Sequence, residues 1–221
     1  MFTAEAFSAA QPFPHAIVPD FVPIETVRAI NAEWPTDGWN PYKHKHSDKR
    51  ASTSFGPRTK ELVDSLNGPE FIESLSKMTG ISNLSADPWL SGGGLHETLN
   101  GGFLDIHADF NIHPKTRLFR RLNLLLFLNE DWQDEWGGCL ELWNQDKSGA
   151  CVCVAPNAGT AVIFATTDSS FHGHPVPLNR PDGGSRRSIA LYYYSPESPE
   201  PNPREHSTLY IGEEEHWFRT D

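Results

Sequence analysis

Apolar side chains recur in two rhythms along this chain, and the change between them divides it. After Pro23, Ile24, Val27 and Ile30 return at helical spacing, with Glu25 where a first turn favours an acid. Arg58 to Leu66 and Glu70 to Met78 repeat that pattern more briefly, and Asn67-Gly68-Pro69 and Gly80 close them. The polar segment between the first of these helices and Arg58 contains proline and histidine and reads as loop. Residues 1–94 are therefore expected to be mostly helical support.

Past about Leu95 the period shortens to two. Leu104, Ile106, Ala108 and Phe110 alternate with Asp105, His107 and Asp109, as in a half-buried strand. Leu122 to Leu128 is apolar except for Asn123, which fits a buried strand. Cys139 to Trp143, Ala150 to Val154, Thr160 to Phe164 and Ser188 to Tyr194 add more strands. Gly137-Gly138, Pro156 to Gly159 and Asn179 to Gly184 supply turns between them. Many short strands without intervening helices argue against a parallel βαβ sheet. They predict a mainly β fold, a β-sandwich or jelly roll over residues 95–195, with the helices covering an outer apolar face. Residues 196–221, rich in proline and glutamate, read as a C-terminal extension, mostly coil, with Leu209-Tyr210-Ile211 as a short edge. No linker splits the chain, and 221 residues suit one domain.

Charge narrows the partners. With 29 acidic and 18 basic side chains the formal net charge is -11, and no long basic block offsets it. Nucleic-acid binding is not expected, because such affinity rests on neutralising phosphates. The nearest basic cluster, Lys43-His44-Lys45-His46 with Lys49 and Arg50, reads as a solvated loop or as part of an active-site mouth. No apolar run approaches the ~20 residues that span a bilayer, so a membrane is not an expected partner. The start lacks a basic leader followed by an apolar core, and Cys139, Cys151 and Cys153 do not look like a disulfide framework. Those cysteines are expected to pack as small side chains in a reducing, cytoplasmic setting.

The candidate chemistry begins at His107 and Asp109, which share one face of an extended strand and need a further ligand to make a metal site. Ser170-Phe171-His172-Gly173-His174 can supply it, although pattern alone does not choose between His172 and His174. Two imidazoles and one carboxylate suit a mononuclear iron site, since that set leaves coordination positions open. Farther on, Arg186 and Ser188 share a face while Arg187 points away. A guanidinium fork beside a hydroxyl makes a good carboxylate receptor.

With these pieces in order, the chain resembles the iron(II)- and 2-oxoglutarate-dependent dioxygenases, in their prolyl 4-hydroxylase-like branch with a double-stranded β-helix (jelly-roll) core. The resemblance is carried by His107-Ala108-Asp109, Leu122 to Trp132, Gly137 to Leu142, His172-Gly173 and Arg186 to Tyr194, and it runs from about Gly101 to Ser195. It implies His107, Asp109 and His172 as the Fe(II) ligands at the catalytic centre. It also implies that Arg186 pairs with the distal carboxylate of 2-oxoglutarate, with Ser188 assisting and Arg187 as runner-up. Oxidative decarboxylation of 2-oxoglutarate with O2 would then drive hydroxylation of an unactivated C–H bond in a prolyl residue, amino acid, peptide or small metabolite. Animal prolyl hydroxylases usually have a tyrosine where this chain has Phe127, which cannot donate the same bond to the co-substrate. Asn123, from the same strand face, is the expected substitute contact, and the departure weakens a transfer of prolyl specificity. His174, Trp143 and Tyr42 to His46 are candidate substrate-side contacts. Two rival readings are a non-redox metal enzyme or cupin-like metal-binding protein on a similar barrel, and a binding or scaffold protein without chemistry. The first gives no reason for Arg186 and Ser188 to face the metal.

Overall fold

A computed structural model describes residues 2–212. Its described helices are α1 (Ala4–Ala9), α2 (Ile24–Ala32), α3 (Pro57–Leu66) and α4 (Pro69–Thr79). The strands are β1 (His15–Val18), β2 (Asn40–His44), β3 (Ser47–Ser52), β4 (Ser85–Ala86), β5 (Gly94–Thr98), β6 (Leu104–Ala108) and β7 (Phe119–Phe127). They continue with β8 (Leu140–Trp143), β9 (Ala150–Val154), β10 (Ala161–Ala165), β11 (His172–His174), β12 (Arg186–Ser195) and β13 (Leu209–Tyr210). All thirteen belong to one antiparallel sheet whose main path runs β1-β10-β7-β12-β5-β3-β6-β11-β8-β9.

The sheet curls until its two ends face each other. Phe127 and Phe164, from β7 and β10, share a buried cluster with Leu140, Leu142 and Val154 from β8 and β9. Strand β7 shows why this sequence closes in that way, because its two faces have different partners. Leu122, Leu124 and Leu126 pack outward in one core with Val27 and Ile30 of α2, Val63 of α3 and Leu75 of α4. Asn123 and Leu125 line the interior instead, beside Phe127. Period-two alternation buried on both sides thus binds the helical layer to a jelly roll. None of the described helices is long and apolar enough to cross a membrane.

Three local readings are corrected. The polar segment before Arg58 is a β-hairpin, β2 with β3, and β3 pairs with β5 inside the main sheet. Its sequence, Ser-Asp-Lys-Arg-Ala-Ser, hides the strand because Ser47 and Lys49 face a polar cavity rather than an apolar core. Strand β1 likewise extends the sheet from within the supposedly helical third, by pairing with β10. Finally, Cys139 and Cys153 form a disulfide across β8 and β9, with Cα atoms 5.8 Å apart, while Cys151 is a free, exposed thiol. Spacing along the chain did not reveal that pair, because it takes the pairing of β8 with β9, in which Cys153 stands opposite Glu141, to bring Cys153 diagonally beside Cys139.

Candidate metal and co-substrate site

His107 and His172 are direct partners in the antiparallel pairing of β6 with β11. Cross-strand neighbours bring their side chains together, and the two rings lie 4.5 Å apart between centroids. Asp109 follows the end of β6 and completes the group, so that one donor atom from each residue lies within 4.8 Å of the others. Its Oδ1 is 3.6 Å from Nε2 of His107, and its Oδ2 is 3.5 Å from Nε2 of His172.

Hydrogen bonds behind the rings fix which nitrogen faces the centre. Nδ1 of His107 meets the Asp105 carbonyl at 2.8 Å, and Nδ1 of His172 meets the Ser170 carbonyl at 2.9 Å. A carbonyl can only accept, so each Nδ1 carries the proton and each Nε2 presents a lone pair. Burial and the neighbouring His107 hold the His172 pKa down, to about 4, which keeps that imidazole neutral. Burial alone would raise the Asp109 pKa, but Arg120 and the two imidazoles hold its carboxyl well below the usual range. Two imidazoles that point Nε2 inward and one ionised carboxylate, each oriented from behind, fit a divalent transition metal such as Fe(II).

The register also explains the glycine between the two downstream histidines. A bulge separates the pairs His172–His107 and His174–Leu104. A Cβ on Gly173 would stand 2.8 Å from the carbonyl oxygens of both Leu104 and Asp105. The second of these is the acceptor that orients His107. Gly173→Ala is therefore expected to cost about 1–3 kcal/mol and to weaken metal binding, measurable by denaturant unfolding and by metal titration.

His174 lies outside the donor cluster, which separates it from His172. It lines the same cavity, with Nε2 3.5 Å from Oγ1 of Thr98 and with a buried Nδ1 that has no hydrogen-bond partner. Arg186 and Ser188 line that cavity too, both buried. Arg186 donates from Nε to the Gly138 carbonyl at 2.7 Å, and its guanidinium lies 5.0 Å from the Phe127 ring centre. No acidic side chain pairs with it among the described residues. Burial therefore pulls its pKa down, to about 9, leaving it charged at neutral pH. A buried guanidinium without a carboxylate is the feature that fits a dicarboxylate co-substrate. Arg187 points away, to Oε1 of Glu97 at 3.2 Å and to the Trp34 ring at 5.0 Å.

Asn123 is placed differently from the expectation. Its Nδ2 donates to Oδ2 of Asp109 at 2.7 Å, and its Oδ1 accepts from Nε of Arg120 at 2.9 Å. The carboxamide thus orients a metal-site carboxylate, and its oxygen is committed to Arg120 rather than to a co-substrate. Asn123→Ala is expected to lower metal affinity about 10- to 100-fold, in line with loss of an outer-shell partner, with the fold retained by circular dichroism.

Sequence pattern missed Arg120 altogether. Its guanidinium lies 3.1 Å from Oδ2 of Asp109 and 3.4 Å from the Tyr192 ring centre, fully buried. The polar pair Arg120-Arg121 before an apolar run looks like a solvated strand end, and only the curl of the sheet turns Arg120 inward. Of the substrate-side candidates, Tyr42, His44 and His174 line the cavity of about 220 Å³, whereas Trp143 does not. His46 is held by Asp105 at 2.8 Å and stacks on Tyr210.

Another buried cluster looks like a nucleophilic triad and is not one. Asp87 and Ser91 both meet His113 at Nε2, at 3.0 and 3.2 Å. Nδ1 of His113 accepts from the backbone of Lys115 and Thr116. A proton relay needs base and orienting acid on opposite ring nitrogens, so this group is a structural pin for the loop at residues 87–92.

Residues 93–194 match the sequence profile of the 2OG-Fe(II) oxygenase superfamily. Over those residues, a little under half of the chain, it is similar to that superfamily of iron(II)- and 2-oxoglutarate-dependent oxygenases, and the match supports Fe(II) and 2-oxoglutarate as cofactors. Its fold is similar to that of a Pseudomonas putida prolyl-4-hydroxylase, with a TM-score of 0.64 at 18% identity, covering 87% of this chain and 97% of the other. It is also similar to a Trichoplax adhaerens prolyl hydroxylase in complex with a hypoxia inducible factor peptide fragment, with a TM-score of 0.60, 14% identity and 88% of each chain covered. HygX from Streptomyces hygroscopicus, with nickel and 2-oxoglutarate bound, aligns at a TM-score of 0.56 and 11% identity over 82% of each chain. No curated protein matches the sequence.

Proposed function

We propose that the chain is a hydroxylase in which His107, Asp109 and His172 hold Fe(II) while Arg186 and Ser188 receive the distal carboxylate of 2-oxoglutarate. The observation that carries this reading is one cavity with a three-donor metal cluster and an unneutralised buried arginine in its wall. Bound together, iron and 2-oxoglutarate supply the oxidising chemistry, in which O2 converts the co-substrate to succinate and carbon dioxide while one oxygen atom enters a C–H bond of the substrate.

The protein supplies position and charge. Asp105 and Ser170 carbonyls hold the imidazoles in the ligating tautomer, and Asn123 with Arg120 holds Asp109 ionised and aimed. The Arg186 guanidinium, fixed by Gly138 and the Phe127 face, offers its terminal nitrogens to a carboxylate. Phe127 offers no hydroxyl to that carboxylate, so Ser188 is the hydroxyl donor of this wall. Prolyl residues, free amino acids, peptides and small metabolites are the candidate substrates, since the prolyl hydroxylases and HygX are all neighbours in fold.

The test is succinate formation from 2-oxoglutarate with Fe(II) and O2, followed by mass detection of one added oxygen in a stimulating substrate. A chain that binds metal but neither binds nor consumes 2-oxoglutarate would be a non-redox metal enzyme or a cupin-like binder instead.

A further inference from the structure

The cavity carries more positive charge than its proposed occupants neutralise. Lys49, Arg120 and Arg186 line it against a single carboxylate, Asp109. The acids around it are engaged elsewhere: Asp48 with Lys43, Asp105 with His46, and Glu97 with Arg50 and Arg187. A divalent metal ion and a dianionic co-substrate cancel one another, so two positive charges remain in excess. Arg120 is paired with Asp109 and Arg186 with the co-substrate in the proposed function, on which this inference rests. Lys49 is the cation that neither accounts for.

Its surroundings do not satisfy it. Lys49 enters from β3, and its hydrogen-bond partner is Nδ1 of His96 at 3.4 Å. Nε2 of His96 faces the Gly92 carbonyl at 3.0 Å and so carries the ring proton, which leaves Nδ1 as the acceptor. That long contact uses one of three ammonium hydrogens, and the Tyr42 ring centre is 5.8 Å away. Burial pulls the ammonium pKa down, to about 8, so it stays largely charged at neutral pH. Burial beside Lys49 keeps His96 neutral, so the ring offers the ammonium a lone pair and no countercharge. A half-buried cation with one long contact gains from a ligand that completes it.

We propose that Lys49 is the receptor for a carboxylate on the primary substrate, and that the enzyme hydroxylates a small free acid, such as an amino acid with its α-carboxylate intact. A prolyl or other uncharged residue inside a peptide chain is an amide on both sides and brings no charge to this position. Tyr42 and His44 stand in the same wall and are placed to cover the body of such an acid.

The experiment is calorimetric binding to the protein loaded with Fe(II) and 2-oxoglutarate under nitrogen. The probes are the free L-amino acids, each beside its own carboxamide. The expected result is at least one acid that binds tenfold or more tightly than its amide. Lys49→Met should collapse that ratio to near one, and Lys49→Arg, which keeps the charge, should preserve much of it. Equal binding of acid and amide throughout, or binding of no acid at all, overturns the proposal. So does a Lys49→Met variant that keeps the acid preference and loses 2-oxoglutarate affinity, which would assign the cation to the co-substrate. Failure of the wild-type protein to bind 2-oxoglutarate would instead sink the hydroxylase reading itself.

Discussion

Asp109→Ala is expected to abolish metal-dependent turnover and to destabilise the metal-free protein by about 3–5 kcal/mol, the usual cost of leaving one member of a buried ion pair alone. His107→Ala loses turnover as well but does not carry that second cost. The difference lies in Arg120, whose guanidinium is buried 3.1 Å from the Asp109 carboxylate and meets no other acid among the described residues. Removing an imidazole leaves this pair intact, whereas removing the carboxylate strands a cation against Tyr192 and Phe110. Unfolding by denaturant in the presence of a chelator measures the effect, and equal loss in the two variants would contradict it. The pH dependence has a definite sign. Asp109 is held below its unfolded value of about 3.9, so its contribution is fully present above that pH and is lost as pH falls through the lower folded pKa. The gap in stability between wild type and Asp109→Ala should therefore stay constant from neutrality down to about pH 4 and close below it.

This pairing shows where sequence reading reaches and where it stops. His107, Asp109, His172, Arg186 and Ser188 were legible because strand periodicity places chemistry-bearing residues on one face, and the structure brings these five to one cavity. The choice of His172 over His174 was not legible from pattern, because both share a face when extended. Register favours His172, which it places opposite His107 and within the donor cluster. Arg120 and His96 were missed, and Lys49 was noticed only within a basic cluster read as a solvated loop or part of an active-site mouth. Lys49 and His96 sit on strands whose inward positions are polar, and Arg120 sits at the polar start of β7, so the apolar alternation that announces a strand is absent around them or is read as solvent exposure. Asn123 was found for the right face and given the wrong partner, since pattern cannot show that Asp109 and Arg120 lie within reach of its carboxamide.

Arg186→Met is expected to act in opposite directions on two measurements. Affinity for 2-oxoglutarate should fall by about 2–5 kcal/mol, roughly 30-fold to several thousandfold, because a buried charge-assisted pair loses one partner. The free protein should be as stable as wild type or more so, because in the absence of ligand the guanidinium is desolvated without a carboxylate. Linkage gives the sign at high pH. The folded pKa, about 9, lies below the unfolded value, so between the two the unfolded chain binds more protons at this site. Its penalty on stability is then full below the folded pKa and is relieved as pH rises toward the unfolded one. The excess stability of Arg186→Met over wild type should accordingly shrink above about pH 9, while its deficit in 2-oxoglutarate binding persists at neutral pH. A variant that lost stability and affinity together would mean that Arg186 is held by the fold for its own sake. The opposed pair of results instead identifies a cation kept at a cost to the empty protein because its partner arrives with the co-substrate.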